Sequence, residues 1–118
     1  KNIKKISKIV HPMVRKKMNS FLTKNKKKKI IILDVPLLLE SKIKIKGMIL
    51  VFVDSKKSDI LNRLKYRKGF NRKILKRLRE IQLPLDYKKR KSHYIVKNYY
   101  TKKFVRKSVK SILRKILL

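Results

Sequence analysis

Residues 29–40 read KIIILDVPLLLE: a β-branched apolar run, Ile30-Ile31-Ile32-Leu33, stops at Asp34, Pro36 blocks its continuation, and a second apolar patch closes on Glu40. A run apolar on both faces suits a buried strand of a parallel sheet, and such sheets bind ligands outside the carboxyl ends of their strands. Asp34 is thereby expected at a strand tip, where a carboxylate can meet a ligand. A second acid, Asp54, closes the next such run, Met48-Ile49-Leu50-Val51-Phe52-Val53. The chain holds only six acids, so two of them at strand tips is a pattern to explain.

The elements that would position these groups follow from periodicity. Ile3, Ile6, Ile9 and Val10, then Met13, Val14, Met18, Phe21 and Leu22, recur at helical spacing, predicting helix over 3–23 with a break at His11-Pro12, Pro12 opening the second piece. Strands are expected at 29–34 and, after an irregular segment ending at Gly47, at 48–54. Ser55 or Ser58 can cap a helix to about Arg67, ended by Gly69; Asn71 can cap another to about Gln82; Pro84 opens a short basic helix through Lys91. A short strand over His93 to Val96 and a helix from about Thr101 complete the order, the helix with Phe104, Val105, Val109, Ile112, Leu113, Ile116 and Leu117 on one face. Strands alternating with helices predict an α/β fold with a parallel sheet flanked by helices.

Composition excludes several functions. Without cysteine there is neither a disulfide framework nor a thiolate metal site, and only His11 and His93 offer imidazole. No stretch reaches the roughly 18 apolar residues of a membrane span, and no signal-peptide pattern opens the chain, so a cytoplasmic location is expected. The net charge of +32 invites a polyanionic partner. The basic residues are, however, 29 lysines and only 9 arginines, alanine is absent and isoleucine occurs 15 times, a bias toward A- and T-rich codons that accounts for much of the charge. Base-edge readout favours arginine forks, and here lysines scatter over every predicted helix; Lys26 to Lys29 suit a solvated loop.

Several motifs, in order, resemble those of the dephospho-CoA kinase family. They are His11-Pro12 with Arg15, Asp34-Val35-Pro36-Leu37-Leu38-Leu39-Glu40, Val51-Phe52-Val53-Asp54 with Arg63-Leu64 and Arg67, and Gln82 before Tyr94-Ile95-Val96-Lys97-Asn98. The family carries H-P-x-x-R, D-x-P-L-L-F-E, V-V-V-D with R-L-x-x-R, and Gln followed by Y-V-I-D-N, and order and spacing agree over residues 5–117. Departures are Leu39 for the family phenylalanine, Ile60 for a glutamine, Ser92-His93 for an A-D pair and Lys97 for an aspartate.

The resemblance implies a P-loop kinase-like fold of the nucleoside-monophosphate-kinase type and ATP-dependent phosphorylation of the ribose 3′-hydroxyl of dephospho-CoA, with ATP and Mg2+ as requirements. Family members begin with a strand, a G-x-x-x-x-G-K-[ST] phosphate loop and a catalytic aspartate. The two glycines here, Gly47 and Gly69, are far apart and neither precedes Lys-Ser or Lys-Thr. The chain also starts at Lys1, not Met. It is therefore expected to be the carboxyl-terminal part of a longer enzyme, a partial single domain inactive alone, with no catalytic residue of its own. Its expected regions are 1–46 (substrate side), 47–67 (strand and arginine helix), 68–92 (lid or helical segment) and 93–118 (last strand and helix).

By the same resemblance His11, Arg15, Asp34, Pro36, Leu37 and Glu40 are candidates for binding dephospho-CoA, and Arg63, Arg67 and Asn98 for binding ATP. All but Pro36 and Leu37 have a plainer alternative. Arg63 and Arg67, four apart on one predicted helical face, either converge on polyphosphate as lid arginines or are solvated charges. His11 and Arg15 are pocket residues or a helix start and a surface charge. Asp34 faces a ligand or caps the turn into Pro36; Glu40 orients Arg15 or caps a turn; Asn98 stands near adenine or only ends a strand. Asp54 is expected to be a helix cap, and His93 to have no chemical role. Two other classes remain: a basic RNA-binding module, which would need exposed aromatics interleaved with arginine, whereas in the cluster Tyr94, Tyr99 and Tyr100 the first belongs to a predicted strand and the flanks are lysine, and a remnant that only packs against a partner.

Overall fold

A computed structural model describes residues 2–99 and 101–118. Tyr100 and the side chains of Ile3 and Ile6, all named above, lie outside the described residues. The chain falls into two units, Lys1–Ser41 and Lys42–Leu118.

The first unit is built on helix α1, Asn2–Lys24, which runs through Pro12 without the predicted break. Proline inside a helix removes one i→i−4 bond and crowds the preceding turn, but the apolar spacing continues on both sides of it, and Met18 is buried. The expected strand at 29–34 is absent: residues 30–35 have no assigned strand or turn, and Ile32 is 82% exposed. A strand is completed by its ladder partner, and among the described residues none pairs with this run. Its apolar sequence encodes the capacity to pair, not the partner.

The second unit carries a two-stranded parallel sheet, β1 (Val51–Asp54) and β2 (Tyr94–Lys97), in the register Val51↔Tyr94 through Asp54↔Lys97. Parallel neighbours need a long crossover, and three helices make it: α2 (Lys57–Lys65), α3 (Arg72–Ile81) and α4 (Leu85–Lys91). Helix α5, Lys102–Leu117, then packs on β2, where Val96 is buried with 6% exposure.

Local signals explain the helix ends. Asn71 Oδ1 accepts from the Lys73 amide at 2.8 Å, a side-chain N-cap of the kind that contributes about 1 kcal/mol. Helix α2 is not capped by Ser55 or Ser58 as expected; Lys56 is its N-cap and no side chain bonds there. At its other end the helix stops at Lys65, with Tyr66 as C-cap, the Arg67 amide bonding back to Leu64 O at 3.1 Å, and Gly69 at φ +80°. Positive φ is the conformation glycine adopts without Cβ strain, so the chain turns here. Arg67 thus lies in the turn and not on the helical face shared with Arg63.

His93 has a structural task. The Leu50 amide donates to His93 Nδ1 at 2.9 Å, while the His93 and Tyr94 amides donate to Leu50 O at 2.8 and 3.2 Å. An imidazole that accepts at Nδ1 carries its proton on Nε2, and it extends the strand pairing by one side-chain rung.

Candidate functional site

In the second unit, the carboxyl ends of β1 and β2 gather charged and polar groups. Asp54 is the last residue of β1, and its side chain is 17% exposed. Its Oδ2 accepts from Lys89 Nζ of α4 at 2.7 Å and from the Tyr99 hydroxyl at 2.5 Å, while its backbone carbonyl accepts from the Asn98 amide at 2.7 Å. Lys56 Nζ stands 6.0 Å from the centre of the Tyr99 ring, within cation–π range. Asp54 is therefore not the helix cap expected of it: its side chain is occupied by partners 35 and 45 residues away along the chain.

These contacts set the charge state of the cluster. Hydrogen bonds from Lys89 and then Tyr99 hold the Asp54 carboxyl below the usual carboxylate range, helped by the charges of Lys89 and Lys97 and opposed by burial. Lys89 is shifted up, chiefly by its hydrogen bond to Asp54, again against burial. A lowered acid pKa in the folded state means the unfolded chain binds more protons at low pH. The Asp54 contribution to stability is thus complete above about pH 4 and lost as pH falls through the lowered value. The Lys89 contribution is complete below about pH 10.4 and lost as pH rises through the raised value. Urea midpoints measured against pH are expected to fall at both extremes, and the acid-side fall to become shallower in Asp54→Asn; an identical acid limb in the variant would remove the pair from the account.

Of the predicted nucleotide-side residues, Asn98 belongs to this cluster through its backbone and is half-buried. Arg63 is exposed on α2, and Arg67 is exposed in the turn after it. Lys89 and Lys56 carry no expectation from sequence, and Tyr99 figures there only as a stacking group of the RNA-binding alternative, not as a partner of Asp54. Tyr99 adjoins Asn98 and could have been suspected from that; Lys89 is hidden in the basic run Lys88–Lys91, where nothing local marks one lysine from the next.

The predicted dephospho-CoA residues all lie in the first unit. Residues 36–42 form a turn closed by the Ser41 amide donating to Leu37 O at 2.9 Å. Leu37 takes φ +54°, a left-handed conformation that costs a non-glycine residue roughly 1–3 kcal/mol and is kept where surrounding structure imposes it. Pro36 fixes the residue before it, and the Arg15 guanidinium donates to the carbonyl of the buried Ser41, tying α1 to the turn. Arg15 thus reaches the residue next to Glu40, which is half-buried. His11 is half-buried on α1, while Asp34 and Pro36 are exposed.

An α/β unit that presents cationic and hydrogen-bonding groups at the carboxyl ends of parallel strands has the architecture of ligand-binding α/β domains. The family model described as dephospho-CoA kinase matches residues 1–103, and the chain belongs to that family. Among similar proteins, the dephospho-CoA kinase of Wolbachia pipientis wMel is 32% identical over 114 residues, covering 95% of this chain and 58% of that protein. The dephospho-CoA kinase of Leptospira interrogans is 30% identical over 118 residues, covering 99% and 56%. That of the Wolbachia of Brugia malayi is 28% identical over 119 residues, covering 99% and 60%. The chain therefore spans somewhat over half the length of these relatives. Among the described residues no helix is long and apolar enough to cross a membrane.

Proposed function

We propose that this chain forms the substrate-binding and nucleotide-closing part of an enzyme that transfers the γ-phosphoryl group of ATP to the ribose 3′-hydroxyl of dephospho-CoA. The 3′-oxygen forms the new P–O bond, the bond to the ADP oxygen breaks, the hydroxyl proton is released, and the products are ADP and coenzyme A. The match to the dephospho-CoA kinase family over residues 1–103 is the observation that carries this reading. Phosphoryl transfer depends on positioning and charge neutralisation more than on covalent chemistry by the protein. In this reading Arg63 and Arg67 close over the polyphosphate, Asn98 stands near the adenine, and His11, Arg15, Asp34, Pro36, Leu37 and Glu40 line the dephospho-CoA side.

Mg2+ enters as part of the MgATP substrate. Among the described residues no group of three or more histidines and acids gathers to hold an ion, and Mg2+ is commonly held by substrate phosphates with one or two carboxylates and water. The phosphate loop and catalytic aspartate are supplied by polypeptide outside these 118 residues, which contain no G-x-x-x-x-G-K-[ST] sequence. A further element would find room at β1: among the described residues the strand pairs only with β2, and its Val53, at 58% exposure, and Val51 leave one face of the sheet uncovered. Open apolar strand edges are ordinarily covered.

The competing RNA reading predicts a different salt response. Non-specific nucleic-acid affinity should drop by about 10³–10⁵ between 50 and 200 mM salt. ATP binding that also depends on its base is expected to fall by no more than about tenfold over that range. Isothermal titration with ATP and with single-stranded RNA at both salt concentrations checks this; equal collapse of the two affinities would favour the polyanion-binding module.

A further inference from the structure

Asp54 holds the segment after β2 at two successive residues. Its main-chain carbonyl takes the Asn98 amide at 2.7 Å, and its side chain takes the Tyr99 hydroxyl. The ladder pair Asp54↔Lys97 fixes the residue before them. Lys89 adds a tie from α4 to the same carboxylate oxygen, and Lys56 covers the Tyr99 ring. Asn98 is thus the middle residue of three consecutive positions, 97 to 99, each fixed to the tip of β1.

From this arrangement we infer that Asp54 and Tyr99 are positioning residues that lock Asn98 in the orientation needed to recognise the base of a purine nucleotide, with Lys89 cancelling the carboxylate charge beside an anionic ligand. The inference rests on the reading above that Asn98 faces the nucleotide. Fixing the main chain that carries the recognition group before binding removes part of the ordering cost that binding would otherwise bear. A hydroxyl–carboxylate bond is charge-assisted and stronger than a neutral one. An aspartate left unpaired at the same place would repel polyphosphate, and the Lys89 ion pair at 2.7 Å prevents that.

The test uses the product of the complete reading frame that contains these residues, as wild type, as Tyr99→Phe, which removes one hydroxyl, and as Asp54→Asn, an isosteric neutral change. Amide exchange and the side-chain carboxamide signals of Asn98 are followed by NMR, with ATP and inorganic tripolyphosphate as probes. In both variants the Asn98 amide is expected to exchange about tenfold faster and ATP to bind about tenfold more weakly. Amide exchange at Phe52 and Val96 and tripolyphosphate affinity in Tyr99→Phe should stay within about twofold, which a general loss of structure would not allow. Unchanged Asn98 exchange in both variants would overturn the lock. Equal responses of wild-type Asn98 to ATP and tripolyphosphate would instead overturn its nucleotide role, whatever the exchange rates show.

Discussion

Supplied with ATP, Mg2+ and dephospho-CoA, the 118-residue chain alone is expected to form no coenzyme A above background. Kinases turn over at about 1–100 s⁻¹ by holding the phosphates and reacting oxygens in place and by neutralising charge as it develops. Arg63 and Arg67 can supply cationic charge, but the sequence contains no glycine-rich loop whose amides and lysine could cradle the β- and γ-phosphates. Each missing preorganised donor costs about 10²–10³ in rate, so losing several takes the reaction below detection. Chromatographic assay of coenzyme A against enzyme concentration checks this. Product rising in proportion to the chain would show that its own residues suffice for transfer.

Val96→Asp is expected to unfold the second unit. Val96 is the buried apolar side chain of β2, at 6% exposure, on the strand that pairs with β1 and carries α5. A carboxylate placed there loses its water and gains no built partner, a cost of several kcal/mol, set against a total stability of about 5–15 kcal/mol for an ordinary domain. Val96→Ile, which adds one methylene but keeps β-branching and polarity, should cost no more than about 1–3 kcal/mol. Circular dichroism during urea unfolding separates the two: the aspartate variant should lose helical signal without denaturant, the isoleucine variant should retain a cooperative transition. A Val96→Asp midpoint equal to wild type would mean that β2 is not the core of this unit.

Features fixed by neighbours in sequence were the legible ones. Asn71, Pro84 and the apolar stripe from Phe104 to Leu117 mark α3, α4 and α5 because caps, proline and helical period act within a few residues. The run Tyr94-Ile95-Val96 likewise announced β2. What pairing decides was less legible: Ile30 to Asp34 has strand composition but no ladder, and β1 begins at Val51, three residues later than its apolar run suggests. The end of α2 was misjudged because Arg63 and Arg67 keep helical spacing while the chain already turns toward Gly69. At the site, Asn98 stood out by its place at a strand end. The lysine and tyrosine that bond Asp54 come from α4 and from the segment after β2, so only the crossover brings them together.

The most direct measurement is phosphoryl transfer by the product of the complete reading frame that contains these residues, followed by ³¹P NMR with ATP and dephospho-CoA as the only substrates. The account predicts one new phosphate monoester on the ribose 3′-oxygen for each ADP released. ADP release without that monoester, or no reaction by a folded protein that binds ATP, would contradict it.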